Sequence, residues 1–508
     1  MGRLSGGPYV RPQVLRRLAP ALYPLLFAAF PLLSLFEHNQ SEIELSVLWL
    51  PLVATTVAAA LLYGVFWLVF RRKAKASALS ALVVFAFFYY GTFAAAVGLA
   101  DRWFFPLWAV FFALLAVALV RVNRDLTSLT WVLGAAALVL VAVPIAGIAV
   151  YHANHPAISV SDPRLWPTKL APPGGAQRPD IYVLVPDDYA RPDVLRHYFR
   201  YDDSRFLHEL ERRGFVVSPR SRSPYSDSEM NIAAAVNLDY LGRLPAILGK
   251  RSQDVRPVSK LIEDNRAARL LRSVGYRYVH LDTDEVTFDG GNPKISRFAP
   301  PDSFANLWLK NSLLRLIGGP FGFDDSARNE RFRDSVRTVF SQLEAVPREP
   351  GQKFVLFHTL LPHDPYVFGP HGEAVTFPGH SDNDLGSRLG MRYYLKQLRY
   401  LNGKLLGAVD AILAGSKRPP VVVIQADEGF QASDQTFGEA AMQQIRVKGL
   451  IALYLPGARK PTVPEPPNTV NTLRFVLNRY VGTHYPMLRS ASYPEQDFPY
   501  QFEQMRVR

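Results

Sequence analysis

Residues 179–188 read Pro-Asp-Ile-Tyr-Val-Leu-Val-Pro-Asp-Asp. The apolar run Ile181–Val185 has the length and β-branched content of a buried strand, and Pro186 ends it. Two carboxylates, Asp187 and Asp188, follow at once. Four later runs share this form: Tyr276–Leu281, Phe354–Phe357, Val421–Ile424 and Leu450–Leu455. Between them, Ser204–Arg213, Ala267–Val274, Tyr394–Leu413 and Thr469–Tyr480 carry helical spacing. Short apolar strands alternating with amphipathic helices predict an α/β domain whose sheet is mostly parallel and covered on both faces.

In such sheets ligands bind beyond the carboxyl ends of the strands. Strand 354–357 runs into His358 and then Pro362-His363-Asp364-Pro365. Strand 421–424 runs into Gln425-Ala426-Asp427-Glu428-Gly429. Any one of these acids alone is more often a turn or cap residue. Three such endings in one sheet point to a metal or phosphate site. A fourth segment, Ser226-Asp227-Ser228-Glu229, precedes the Ala-rich helix Met230–Leu238. A serine at a helix N-terminus sits where backbone N–H groups favour an anion, although capping the helix is an alternative use of the same hydroxyl.

The first 152 residues have a different composition. The chain has 508 residues, a net charge of +13 and no cysteine, and its mean hydropathy is +0.02. Residues 1–152 hold only 16 charged side chains, against 85 in the remaining 356. Five apolar runs, roughly 18–36, 45–70, 78–100, 103–120 and 129–151, are long enough to cross a bilayer. Their flanks alternate in charge. Arg3, Arg11, Arg16 and Arg17 precede the first; Glu37, Glu42 and Glu44 follow it; Arg71, Arg72, Lys73 and Lys75 follow the second. Asp101-Arg102 joins the third and fourth as a neutral hairpin, and Arg121 and Arg124 precede the fifth. Basic loops stay inside, so the N-terminus is expected in the cytoplasm and the chain after Tyr151 outside. The organisation read here is a five-span region over 1–151, a Pro/Gly-rich linker over 152–178 and an outer catalytic domain over 179–508. Residues 286–350 carry no readable motif and are expected to shape the pocket and the choice of acceptor.

The order of motifs resembles the sulfatase-like branch of the alkaline phosphatase superfamily. Arg178–Arg191 is similar to its opening strand, Tyr201–Phe215 to its next helix, and Ser221–Leu241 to its nucleophile segment; Pro362-His363-x-Pro365-Tyr366 and Asp427-Glu428-Gly429 complete the sequence. Five spans followed by an outer domain also match lipoteichoic acid synthase-type membrane phosphotransferases, which places the chain in a bacterial cytoplasmic membrane as a multi-pass protein. The resemblance implies a metal-dependent phosphotransferase, with Asp187, Ser228, Asp427 and Glu428 as metal ligands. Ser228 is the implied nucleophile and His363 the acid on the substrate side, with His358, Asp188 and Arg191 as further substrate contacts.

Departures from the family pattern bear on the chemistry. Asp188 stands where the family commonly has glycine, Ser228 where it usually has threonine, and Glu428 where it usually has histidine. The implied ligand set is then all oxygen, which favours Mn or Mg, with Ca or Zn as alternatives. The implied partners are a lipid donor of a glycerophosphate or phosphoethanolamine head group and an envelope glycan or lipid acceptor; nucleic acid is not expected. A phosphodiesterase or sulfatase-type hydrolase and an inactive envelope scaffold are the alternatives. Met230 and Ile232 at +2 and +4 from Ser228, where a formylglycine sulfatase needs Pro or Ala and then Arg, argue against that chemistry.

Overall fold

The computed structural model describes residues 12–155, 158–166, 174, 178–283, 287–289, 292–294, 303–317, 325–379, 384, 386–457 and 462–506. Residues 156–157, 167–173 and 175–177 of the expected linker, and the N-terminal arginines Arg3 and Arg11, lie outside the described residues. The chain forms two compact units, one of residues 1–156 with 301–328 and the other of 157–300 with 329–508.

The first unit contains helices α1 (Pro12–Asn39), α2 (Ser46–Phe70), α3 (Lys73–Phe88), α4 (Tyr90–Val97), α5 (Asp101–Arg121) and α6 (Thr127–Asn154). Among the described residues, four of its helices are long and apolar enough to cross a membrane. The expected third span is the pair α3 and α4, bent by 51°. The number of spans is five if that pair counts as one. Large apolar side chains face outward along these helices: Leu50 is 79 % exposed, Leu61 67 % and Val143 66 %. An outward apolar surface of this extent suits lipid, not water. Lys75, expected in a loop, lies inside α3 and is buried, where its ammonium donates to the Val120 carbonyl at 2.7 Å, at the negative end of the α5 dipole. The helix Ser303–Asn311 belongs to this unit: Phe304 packs with Leu32 and Phe36, and Trp308 lies beside Phe88.

The second unit is built on one eight-stranded sheet: β1 (Ile181–Asp187), β2 (Phe215–Val217), β3 (Arg277–Asp282), β4 (Thr287–Asp289), β5 (Asn292–Lys294), β6 (Lys353–Pro362), β7 (Val421–Gln425) and β8 (Ile451–Tyr454). The order across it is β2-β8-β7-β1-β6-β3-β4-β5. The central β7, β1, β6 and β3 run parallel. The edges are antiparallel, so the sheet is mixed, not parallel throughout. The strand expected at 450–455 therefore runs opposite to its neighbour. The connection after β7 begins and ends at the same edge of the sheet, as the pairing of Gln425 with Ile451 requires, so β8 can only run back.

Alternation along β1 feeds two cores. Ile181, Val183 and Val185 pack under the helices Ser228–Val236, Arg266–Arg272 and Thr469–Tyr480; Tyr182 and Leu184 pack under Asp325–Ala345 and Arg388–Gly415. All seven residues of β1 are buried, which is why the strand reads as an unbroken apolar run.

Candidate metal centre

The four parallel strands end at one edge, and their registers decide which side chains meet there. Val185 of β1 and Asp282 of β3 both lie opposite His358 of β6, and Asp187 lies opposite Pro362. Asp427 and Glu428 follow directly after β7. Two groups of donor atoms result, each with all atoms within 4.8 Å of one another: Asp187, His358 and Asp427, and Asp187, Asp188 and Glu428. Asp187, Asp188, Asp427 and Glu428 are each at most 4 % exposed.

Local structure aims these groups. The backbone N–H groups of Asp188 and Glu428 donate to Asp427 Oδ1 at 3.2 and 2.6 Å. Asp188 has φ +59°, in the left-handed region that favours glycine and tolerates Asp. Its carbonyl accepts from the Tyr394 hydroxyl at 2.9 Å, and its Oδ2 accepts from Gln431 N–H at 3.0 Å. Gly429 has no room for a side chain, since a Cβ would meet the Ile445 carbonyl oxygen at 2.2 Å. That close approach brings Arg446 to Glu428, Nη2 to Oε1 at 3.9 Å.

Ser228 is the first residue of the helix Ser228–Val236. Asp227 caps that helix by accepting from Met230 N–H at 2.8 Å. The Ser228 hydroxyl is thus not used for capping and donates to Asp187 Oδ1 at 3.2 Å. His358 Nδ1 donates to Asp282 Oδ2 at 3.0 Å, leaving Nε2 turned toward Asp187 Oδ2 at 4.0 Å. A carboxylate that holds one imidazole nitrogen and orients the other is the usual support of a metal-binding histidine. His363 lies on the other side, with Nε2 4.0 Å from Asp188 Oδ2 and Nδ1 donating to the Asp364 carbonyl at 2.8 Å.

Burial pushes the carboxyls of Asp187 and Glu428 well above the usual range. For Asp187 the neighbouring Asp427, Asp188 and Glu428 add to the effect; for Glu428 the Arg446 guanidinium partly offsets it. Burial also raises Asp188, to about 6, against the opposing charge of His363. Such a cluster fits a cation. Asp188 Oδ1, Asp427 Oδ2 and Glu428 Oε2 are buried without a hydrogen-bond partner among the described residues. Unpaired buried carboxylate oxygens cost several kcal/mol unless neutralised, and a divalent cation matches both the charge and the donor types.

The structure brings Asp187, Asp188, Ser228, His358, Asp427 and Glu428 together, with His363 at 4.0 Å from Asp188. His358, expected against substrate, lies instead among the donor atoms, so the available set is not all oxygen. Arg191 does not join them: its guanidinium is held by Asp193 at 2.6 and 2.7 Å and by the Ser221 carbonyl at 2.8 Å. Three residues that position the cluster are absent from the sequence reading. Asp282 ends a strand as Asp187 does, and that rule applied to Tyr276–Leu281 finds it. Gln397 pins the His363 loop by donating to the His363 carbonyl at 2.7 Å and accepting from Val367 N–H at 3.0 Å. Neither Gln397 nor Arg446 has a local signal.

No family model and no curated protein matches the chain. Among solved structures it is similar to the C-terminal periplasmic domain of EcEptC from Escherichia coli, at 11 % identity over 62 % of this chain and 87 % of that one, TM-score 0.38. It is similar to the C-terminal periplasmic domain of the phosphoethanolamine transferase EptC from Campylobacter jejuni at 12 % identity, over 60 % and 90 %, TM-score 0.36. A protein in the alkaline phosphatase superfamily from Vibrio parahaemolyticus gives 14 % identity, over 69 % and 81 %, TM-score 0.40. At such identities the chain's own side chains carry its chemistry.

Proposed function

We propose that the chain is a membrane-anchored, metal-dependent phosphotransferase that moves a lipid-derived head group onto an envelope acceptor through a phosphorylated Ser228. The observation that carries this reading is the Ser228 hydroxyl, left free by Asp227 and hydrogen-bonded to Asp187 within a buried cluster of carboxylates. Asp187, Asp427 and Glu428 would hold the cation with Ser228, and His358 is within reach as a nitrogen donor. Mn or Mg suits the oxygens, and His358 makes Zn a fitting occupant too. When bound, the cation supplies charge neutralisation at the phosphoryl oxygens and a lower pKa at the serine.

The residues divide the work. Ser228 Oγ gives its proton toward Asp187 and forms a bond to phosphorus as the bond to the lipid alkoxide breaks. His363 delivers a proton to that alkoxide. An acceptor hydroxyl then attacks the phosphoryl group and Ser228 is restored. The apolar helices of the first unit support a lipid donor. The charge alternation of its loops supports a cytoplasmic N-terminus and a second unit outside. Incubation of the full chain with glycerophosphate- and ethanolamine-bearing phospholipids, followed by mass spectrometry, tests the reading: a stable adduct on Ser228 is expected, and its absence with every donor rejects the serine route.

A further inference from the structure

Beside the N-terminus of the Ser228–Val236 helix lies a cleft of about 320 Å³ that the chemistry above does not use. One wall is the first turn of that helix with Ser226 and Asp227. The opposite wall is the C-terminal segment, residues 493–502, and Arg446 also lines the cleft. Its size suits one or two sugar rings.

The walls are built for a particular chemistry. Tyr493 is half-buried and backed by the fully buried Tyr225, ring centroids 5.6 Å apart and nearly parallel, so its ring is a fixed platform. Phe498 adds a second half-buried ring. The carboxylates of Asp227, Glu495 and Asp497 also line the cleft and disfavour an anion such as a phosphate. Arg446 is ion-paired with Glu495 and donates to the Ser226 carbonyl at 3.2 Å, which leaves the carboxylates of Asp227 and Asp497 as acceptors for hydroxyl groups. Two buried polar atoms of the lining, Ser226 Oγ and Arg446 Nε, have no hydrogen-bond partner among the described residues. Ser226 is 7 % exposed. The complementary ligand carries no anionic group, has an apolar face to lie on a ring, and offers hydroxyls that both donate and accept.

We propose that this cleft is the acceptor subsite and that it binds a neutral sugar. The inference rests on the phosphotransferase reading and adds the acceptor's class. In the transfer step a sugar hydroxyl oxygen bonds to phosphorus and the phosphorus–Oγ bond of Ser228 breaks; the hydroxyl proton passes to His363, replacing the one given to the lipid alkoxide, and Asp187 returns its proton to Ser228 Oγ. Arg446 is then a positioning residue, tying the cleft to Glu428 of the metal cluster.

The test uses the full chain in a sugar-free detergent with maltose as probe, read by saturation-transfer NMR. Maltose is expected to bind the natural protein and Ser228→Ala alike. Binding is expected to weaken at least tenfold in Tyr493→Ala and in Asp497→Asn, the latter an exposed rim change that leaves the fold intact. Ethanolamine and glycerol 3-phosphate are expected not to displace it. No maltose signal, an unchanged signal in both variants, or displacement by ethanolamine overturns the proposal. Maltose binding without any Ser228 adduct would reject the transferase reading and leave the cleft's specificity standing, so the two fail separately.

Discussion

Asp282 accepts a hydrogen bond from His358 Nδ1 at 3.0 Å, and the same ring turns its Nε2 toward Asp187 at 4.0 Å. The pair comes from two adjacent strands in register, so the sheet fixes the direction in which the imidazole points. Asp282→Asn keeps the shape and weakens the hold on the ring. Metal affinity of the full chain, measured by competition with a fluorescent chelator, is expected to fall by about 10- to 100-fold. An unchanged affinity would remove His358 from the ligand set.

Ser228→Ala is expected to lower turnover by at least about 10³-fold, as loss of a nucleophile does. Ser228→Thr, which keeps a hydroxyl at the first helical position, should retain activity within roughly tenfold. Mass spectrometry of the residual enzyme checks the route, since an adduct elsewhere in Ser228→Ala would point to another nucleophile.

The raised carboxyls set the sign of the pH dependence. In the native metal-free protein Asp188 titrates near 6, and Asp187 and Glu428 are also raised by burial; unfolded, all three titrate near 4. The native state therefore binds more protons than the unfolded state above about pH 4, and stability falls as pH rises through 6. Thermal unfolding of the chelated full chain should show a melting temperature that declines from pH 4.5 to 7.5. Added divalent cation should flatten that decline, and affinity for the cation should rise over the same window, because binding releases protons.

Burial alone would lower His363, but the carboxylates of Asp188 and Asp364 prevail and raise it above the ordinary histidine value. A proton donor with a raised pKa stays charged to higher pH and fails on the alkaline side. The rate should hold past pH 6.5 and then fall, and His363→Gln should abolish that alkaline limb while slowing turnover by about 10²-fold. A limb that survives in the variant assigns it to another group.

Gly429→Ala drives a methyl into the Ile445 and Lys448 carbonyl oxygens, which stand 2.2 and 2.8 Å from the Cβ position. Both are backbone atoms and yield only by moving the 445–448 turn, and Arg446 with it. A destabilisation of about 1–3 kcal/mol is expected, read by denaturant unfolding, together with a loss of metal affinity that a remote destabilising change does not produce.

Much of this site is legible in the chain. Asp187, His358 and Asp427 announce themselves because a buried parallel strand is a short apolar run, and the polar residue that ends it must lie at the carboxyl edge. The Ser228 segment is legible as a helix start, but its sequence leaves open whether serine or aspartate caps it. The expected division at Tyr151 rests on charge density, whereas the first compact unit runs to residue 156. The place of Ser303–Asn311 does not, because its apolar residues Phe304 and Trp308 read equally as the core of either unit.

By itself, then, the sequence determined local matters: where strands and apolar helices lie, and which of them end in carboxylates. Strand direction, register and partner remained undecided, because a period-two pattern is the same in parallel and antiparallel pairing. Tertiary structure reversed β8 and set Asp282 opposite His358. It committed Arg191 to Asp193 and packed the 445–448 turn on Gly429 so that Arg446 reaches Glu428. Each of these contacts joins residues through the pairing of strands or the packing of a turn, and nothing in the local sequence encodes that distance.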